Sequence, residues 1–172
     1  MKKTILWALN SKCGFNCKYC YLNFPEDKNP INNINNKESE DLSEDEIFEF
    51  ISKLKENGIE RIFIAGAEPL SYPTKTFKII EEIKKYDLQV VLCTNGYTLS
   101  KNYKEIIKCK IDAISISLDS YDKKYNDKYR QYPENNGWEK VVDGIKLLKK
   151  EKIQQKSNIK IGIYAVLTKI NM

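Results

Sequence analysis

The segment ILWALNSKCGFNCKYC, Ile5 to Cys20, sets an apolar run directly ahead of three cysteines, Cys13, Cys17 and Cys20. Ile5 to Leu9 reads as a strand, so the cysteines fall at a strand's C-terminal end. Structural metal sites built on cysteine are usually four-coordinate, yet no fourth cysteine is close and the chain has no histidine. Either one ligand has been lost, or one coordination position is left for a group that the protein does not supply. A zinc site completed by Cys93, Cys109 or a carboxylate would be closed and built from paired units. Cys93 sits in an apolar strand pattern and Cys109 at a helix end, and both read as small core residues. The alternative is an iron–sulfur cluster held by three thiolates with its fourth iron open.

Outward from this segment, five apolar strand-like runs alternate with four helical patterns. After the cysteines comes a Pro-containing stretch, Pro25 to Lys37, with five asparagines between Asn29 and Asn36, which reads as a surface loop. Ser43 and Glu46 form a capping box ahead of a helix with Ile47, Phe50, Ile51 and Leu54 on one face, closed by Gly58. Arg61 to Ala65, Leu88 to Cys93, Ile111 to Leu118 and Ile159 to Leu167 are the remaining strands. Between them lie a helix from Pro73, a short one over Tyr103 to Lys108, and a last one carrying Trp138, Val141, Val142, Ile145 and Leu148.

This alternation predicts an α/β fold with a parallel sheet and right-handed crossovers. A part-barrel and an open doubly wound sheet both fit, and in either the working face lies at the strands' C-terminal ends. Other unusual residues gather there. Strand two runs into Gly66, Ala67, Glu68 and Pro69, strand three into Thr94, Asn95 and Gly96, and strand five into Thr168 and Asn171. On strand four, Ser115, Ser117 and Asp119 share the face opposite Ile114, Ile116 and Leu118. Polar side chains on a covered face need partners, and a polar ligand would be one.

The 172 residues suffice for one domain with a real core. The +5 net charge comes from 29 basic and 24 acidic residues. Its lysine pairs, Lys84-Lys85 and Lys149-Lys150, sit at helix C-termini, where they complement the dipole. With no aromatic-plus-arginine stacking platform, nucleic acid is not an expected partner. No run reaches the length of a membrane span, and Met1-Lys2-Lys3 is followed by no cleavage-site pattern. The expected location is the cytoplasm, where five cysteines point to metal or redox chemistry.

The sequence resembles the radical S-adenosylmethionine (SAM) enzymes along almost its whole length. Their C-x-x-x-C-x-x-C signature, with an aromatic before the last cysteine, is matched by Cys13-Gly-Phe-Asn-Cys17-Lys-Tyr19-Cys20. The resemblance implies a part-barrel of six βα units, related to the TIM barrel, of which about five are present, with residues 1–172 as a core domain lacking the sixth unit and any C-terminal domain. It implies that the three cysteines hold a 4Fe–4S cluster whose open iron is chelated by SAM, so that the cofactor supplies the missing ligand. Tyr19 then resembles the residue beside the adenine. Gly66-Ala67-Glu68-Pro69 matches the family's G-G-E-P motif around the methionine amine, with Ala67 in place of the second glycine. Thr94 and Asn95 are candidate ligand contacts, and Ser117 and Asp119 fall where groups reach the ribose or carboxylate. Arg130, in the polar segment KKYNDKYRQ read as a loop, resembles an arginine that pairs with the carboxylate, and Asn171 a polar residue near the nucleoside.

The family chemistry is reductive cleavage of SAM to methionine and a 5′-deoxyadenosyl radical, which takes hydrogen from a substrate, with electrons from a donor such as a flavodoxin or ferredoxin. The run from Asp127 to Lys150 resembles members that modify peptides or proteins, a maturase-like oxidoreductase activity. A glycyl-radical-enzyme activase is an alternative, as is a non-catalytic iron–sulfur or zinc protein. Strand five is apolar on both faces, with only Lys160 guarding it, a pattern of buried strands and not of edges. The chain is therefore expected to be the N-terminal part of a longer protein, or to have strand five covered by another chain or domain.

Overall fold

The computed structural model describes residues 2–20, 42–132, 134–169 and 171, and the Asn-rich stretch Pro25 to Lys37 lies outside them. The apolar runs form β1 (Thr4–Ala8), β2 (Arg61–Ala65), β3 (Gln89–Thr94), β4 (Ala113–Ser117) and β5 (Lys160–Tyr164), paired in the order β1-β2-β3-β4-β5. Every pairing is parallel. Parallel neighbours need crossovers, supplied by the helices α1 (Glu44–Glu56), α2 (Pro73–Lys85), α3 (Leu99–Lys108), α4 (Lys123–Arg130) and α5 (Gly137–Gln154). The α/β fold with a parallel sheet predicted from the alternation stands, and the strand order decides for the part-barrel that the resemblance implies over a doubly wound sheet; β1 and β5 are not paired with each other among the described residues.

The strands' two faces have different fates. Ile62, Ile64, Val90, Leu92, Ile114 and Ile116 are buried against the helices, where they join Ile51, Ile80, Ile83, Leu99, Val141 and Leu148. Each such side chain is worth about 1.5–3 kcal/mol relative to exposure. The alternate residues look inward onto a cavity of about 1310 Å³, lined by Arg61, Phe63, Val91, Ser115, Lys160 and Gly162 among others. Toward the C-terminal ends this inner face narrows to small side chains: Ala8 pairs with Ala65, and Cys93, Ser115 and Gly162 are in register. TIM barrels fill such layers with bulky branched residues, so here space is left beneath the strand ends.

The predicted capping box is present, with Ser43 Oγ accepting from Glu46 N at 3.3 Å and Glu46 Oε2 from Ser43 N at 2.8 Å. Gly58 follows α1 with φ 76°. Three expectations are corrected. The short helix predicted over Tyr103 to Lys108 begins at Leu99, whose buried side chain is flanked by polar residues that hide the helical repeat. Lys123–Arg130, read as a loop, is helix α4, capped by Asp122, which accepts the Lys124 N–H at 2.8 Å. Its inward residues are Tyr125, Asn126 and Arg130, so it shows no apolar stripe. Strand five is shorter than the run Ile159 to Leu167 and stops at Tyr164.

Ile159 is buried, yet Ile163, Tyr164 and Leu167 are 53%, 62% and 71% exposed. An apolar-surface dye is expected to bind this protein. Ile163→Lys combined with Leu167→Lys should lower that signal without shifting the unfolding midpoint by more than a degree or two, since exposed positions change stability by less than about 0.5 kcal/mol. Dye fluorescence and a melting curve on both proteins check this, and an unchanged signal would place the open apolar surface elsewhere.

Candidate functional site

The ends of all five strands and the C-terminus of α4 build the site. The three cysteines lie half-buried on the loop after β1, and the Cys20 N–H bonds to the Cys17 carbonyl at 3.0 Å. Two contacts seat the loop on α4. The Lys18 N–H donates to the Tyr129 carbonyl at 2.9 Å, and the Cys17 thiol to the Arg130 carbonyl at 3.3 Å. Phe15, between the first two cysteines, is wedged edge-on to Tyr97 and Tyr132, with centroids at 5.2 and 4.6 Å. The Tyr132 ring lies so close over Gly137 that a Cβ there would fall 1.9 Å from it.

On the opposite side the loop is riveted to Gly66-Ala67-Glu68-Pro69 by Asn10, the residue that directly follows the predicted strand Ile5 to Leu9. Its side-chain amide donates to the Glu68 carbonyl (3.1 Å), and its carbonyl accepts the Ala67 N–H (3.1 Å). Gly66 takes the positive φ of this turn, 114°, and an added Cβ would meet the Asn10 carbonyl at 2.9 Å. Ala67 has no such φ, so the methyl group that departs from the G-G-E-P pattern is accommodated.

Glu68 is 4% exposed, and its carboxylate accepts three hydrogen bonds. Leu70 N–H and Thr94 Oγ1 donate to Oε1 at 2.9 and 2.7 Å, and Asn95 N–H to Oε2 at 2.6 Å. The predicted residues Glu68, Thr94 and Asn95 thus meet at one point. Asn95 adds a link to the cysteines, its amide nitrogen lying 3.8 Å from Cys13 Sγ. Ser117 faces inward at the end of β4, half-buried.

Asp119 and Arg130 are also brought together, chiefly with each other. Their side chains are 0% and 7% exposed. Arg130 Nη2 donates to Asp119 Oδ1 at 3.0 Å, and Nε lies 2.8 Å from Oδ2 but outside hydrogen-bonding angle. Oδ1 also accepts the Val166 N–H at 2.9 Å. Asn171 is spent on the same corner: its amide donates to the Asp119 and Val166 carbonyls, while its oxygen accepts from Thr168 N and Oγ1. The Arg130 guanidinium stands 5.9 Å from the Tyr19 ring, and the Tyr19 hydroxyl is buried without a partner among the described residues. Nothing but Asn10's place at a strand end could have flagged it, while Phe15, Tyr97 and Tyr132 read as ordinary aromatics.

Burial raises the Cys17 thiol to about 11 against the pull of the Arg130 guanidinium, and burial also raises Cys13, to which the Glu68 charge adds. Metal binding to Cys13 and Cys17 must therefore release protons at neutral pH. Within the described residues, one trio has its ligand atoms all within 4.8 Å, and it is Glu81, Glu105 and Cys109, away from this site. The three loop sulfurs do not all lie within that distance of one another, whereas a tetrahedral ion with 2.3 Å Zn–S bonds draws its ligands to about 3.8 Å. An all-thiol donor set not drawn to that spacing suits a polynuclear cluster.

A sequence profile described as "Radical SAM superfamily" matches residues 8–169. The chain belongs to the radical SAM superfamily, whose cofactors are a 4Fe–4S cluster and SAM. It is 32% identical over 153 residues to GTP 3',8-cyclase of Aliarcobacter butzleri, covering 88% of this chain and 44% of the relative. With the Campylobacter jejuni (strain RM1221) GTP 3',8-cyclase it shares 30% over 140 residues, 80% of this chain and 40% of that one. The chain therefore spans less than half the length of these curated relatives. In fold it resembles anSMEcpe with bound AdoMet and Cp18Cys peptide, with TM-score 0.73 at 18% identity over 98% of this chain and 44% of that one. It also resembles Streptococcus suis SuiB bound to precursor peptide SuiA, with TM-score 0.68 at 16% identity over 97% and 34%. No helix among the described residues is long and apolar enough to cross a membrane.

Burial pushes the Glu68 carboxyl above the ordinary carboxylate range, against its three hydrogen bonds. The folded state keeps this proton at a pH where the unfolded chain has released it. The associated stability is complete below the unfolded value and is lost as pH rises through the folded one. Urea unfolding of the cluster-free protein at stepped pH should show this loss, and the difference from Glu68→Gln, which cannot ionise, should isolate it. A difference curve flat from pH 4 to 8 would contradict the assignment.

Proposed function

We propose that this chain is the catalytic core of a radical SAM enzyme in which Cys13, Cys17 and Cys20 hold the cluster and Glu68 receives the methionine amine of SAM. The observation that carries this is the convergence of Cys13, Glu68 and Asn95, from the ends of β1, β2 and β3, on one half-buried point. When bound, the reduced cluster supplies the electron that splits SAM into methionine and a 5′-deoxyadenosyl radical able to take hydrogen from a substrate. The chain's residues bind and orient. The free lone pair of Glu68 Oε2 offers an anionic acceptor to an ammonium group, Tyr19 offers a ring face to the adenine, and Ser117 offers a hydroxyl on the inner wall. Asp119 and Asn171 tie the ends of β4 and β5, and Arg130 stands between that corner and Tyr19. The small side chains below leave room for a substrate group.

A peptide or protein is the favoured substrate, supported by two neighbours in fold that hold bound peptides. A purine nucleotide is the second reading, supported by the GTP 3',8-cyclases among the sequence relatives. A cytoplasmic location and a flavodoxin- or ferredoxin-type electron donor accord with the five cysteines. The uncovered face of β5 supports a companion proposal, that a sixth βα unit from the same polypeptide or another chain packs there.

Anaerobic reconstitution should load about four irons per chain. Replacing Cys13, Cys17 or Cys20 should abolish loading, and replacing Cys93 or Cys109 should not. Stoichiometric zinc without iron uptake would overturn the reading. SAM should change the magnetic resonance spectrum of the reduced cluster and be cleaved to 5′-deoxyadenosine. Glu68→Ala should weaken SAM binding by about 1–3 kcal/mol, the scale of a charge-assisted hydrogen bond. Unchanged affinity in that variant would leave Glu68 with its structural role alone.

A further inference from the structure

We infer that Asn95 is a positioning residue for the cluster itself, donating an N–H···S hydrogen bond to Cys13 that makes the cluster easier to reduce. The inference rests on the proposed reading of Cys13 as a cluster ligand.

The orientation of the Asn95 amide is decided by its neighbours. Its Oδ1 accepts the Tyr97 N–H at 2.9 Å, closing an Asx turn after β3. An amide has its oxygen and nitrogen on opposite arms, so Nδ2, a donor only, is turned to Cys13 Sγ, 3.8 Å away. The backbone is fixed as well, because the Asn95 N–H is held by Glu68 Oε2 at 2.6 Å. Gly96, next in the chain, has φ 81° and would place a Cβ 2.8 Å from Ile116, so the turn lies tightly against β4. The donor is therefore anchored on both sides and cannot swing away cheaply.

The surroundings give that donor a task. The two sulfurs have different polar neighbours: Cys17 Sγ lies 3.3 Å from the Arg130 carbonyl, an acceptor, whereas Cys13 has the Asn95 amide nitrogen, a donor. A reduced cluster carries one more negative charge than an oxidised one. Hydrogen bonds to its sulfurs stabilise that charge and raise the potential. Ligand-orienting partners of this kind tune a metal site through its ligands.

The test uses Asn95→Ser and Asn95→Asp in the reconstituted protein. Serine can still accept the Tyr97 N–H through its hydroxyl, but it is too short to reach Cys13. Aspartate keeps the Tyr97 acceptor and turns an oxygen to the sulfur instead of an N–H. Both keep the backbone bond to Glu68. Iron content, SAM affinity and midpoint potential, followed by magnetic resonance in a dithionite titration, are the readouts. The expected result is full iron loading in both variants, a more negative potential for Asn95→Ser and a still more negative one for Asn95→Asp. A loaded Asn95→Ser protein with the wild-type potential overturns the inference, and so does a folded variant that no longer loads iron, which would make Asn95 part of the scaffold only. Failure of the wild-type chain to take up iron would instead bring down the cluster reading on which the inference stands.

Discussion

A single buried carboxylate ties the site together. Glu68 binds the Leu70 N–H of its own turn and the Thr94 hydroxyl and Asn95 N–H of the next strand's end. A carboxylate removed from water is costly unless its lone pairs are met, so the ends of β2 and β3 are held at the one separation that meets them. Asn10 extends the tie to β1 through the Glu68 carbonyl, and the cysteine loop starts three residues later. Three loops that are far apart in sequence are thereby fixed to one another at the edge where a parallel sheet gathers them.

The second tie is ionic and lies across the site. Asp119 and Arg130 are buried as a pair, and breaking such a pair by removing one partner commonly costs about 3–5 kcal/mol because a charge is left alone. Through Val166 and Asn171 the pair reaches the end of β5, and through the Arg130 carbonyl it reaches Cys17. The exit of β5 and the second cysteine therefore share a support. A disturbance at either is transmitted through one helix end of the eight-residue α4.

The succession of strands and helices and the position of the site could be read from the chain because apolar periodicity and strand-end chemistry are local signals, whereas periodicity alone leaves the strand order open between a part-barrel and a doubly wound sheet. Ile62, Ile64, Leu92, Ile114 and Ile116 alternate cleanly with inward residues, so their burial follows from the pleat. Helix α4 could not be read that way: it docks by Asn126, Tyr125 and Arg130, and a polar inward face looks like a solvated loop. The meeting of Asp119 with Arg130 was hidden for a related reason. Each was read singly as a ligand contact, and their pairing depends on a helix that periodicity does not reveal. Asn10 shows a third limit, since its contacts are mostly to backbone groups, which carry no residue-type signature.

The strand order has a consequence for how the chain is made. Each strand pairs with the one synthesised just before it, so the sheet can grow one strand at a time behind the ribosome, each pairing waiting for its crossover segment. The cysteine loop, translated before its supports, obtains them in stages: the Glu68 carbonyl, through Asn10, from the second strand's end, Asn95 and Tyr97 from the third, Tyr129 to Tyr132 only after the fourth. Until that last segment emerges, three thiols stand at the surface of a half-built sheet. Early metal capture would meet a loose loop open to the wrong ion, while capture after α4 has docked meets the spaced arrangement that favours a cluster. With the proposed cluster ligands, vectorial synthesis thus places the selection of the metal after the segment through Tyr132 has been translated.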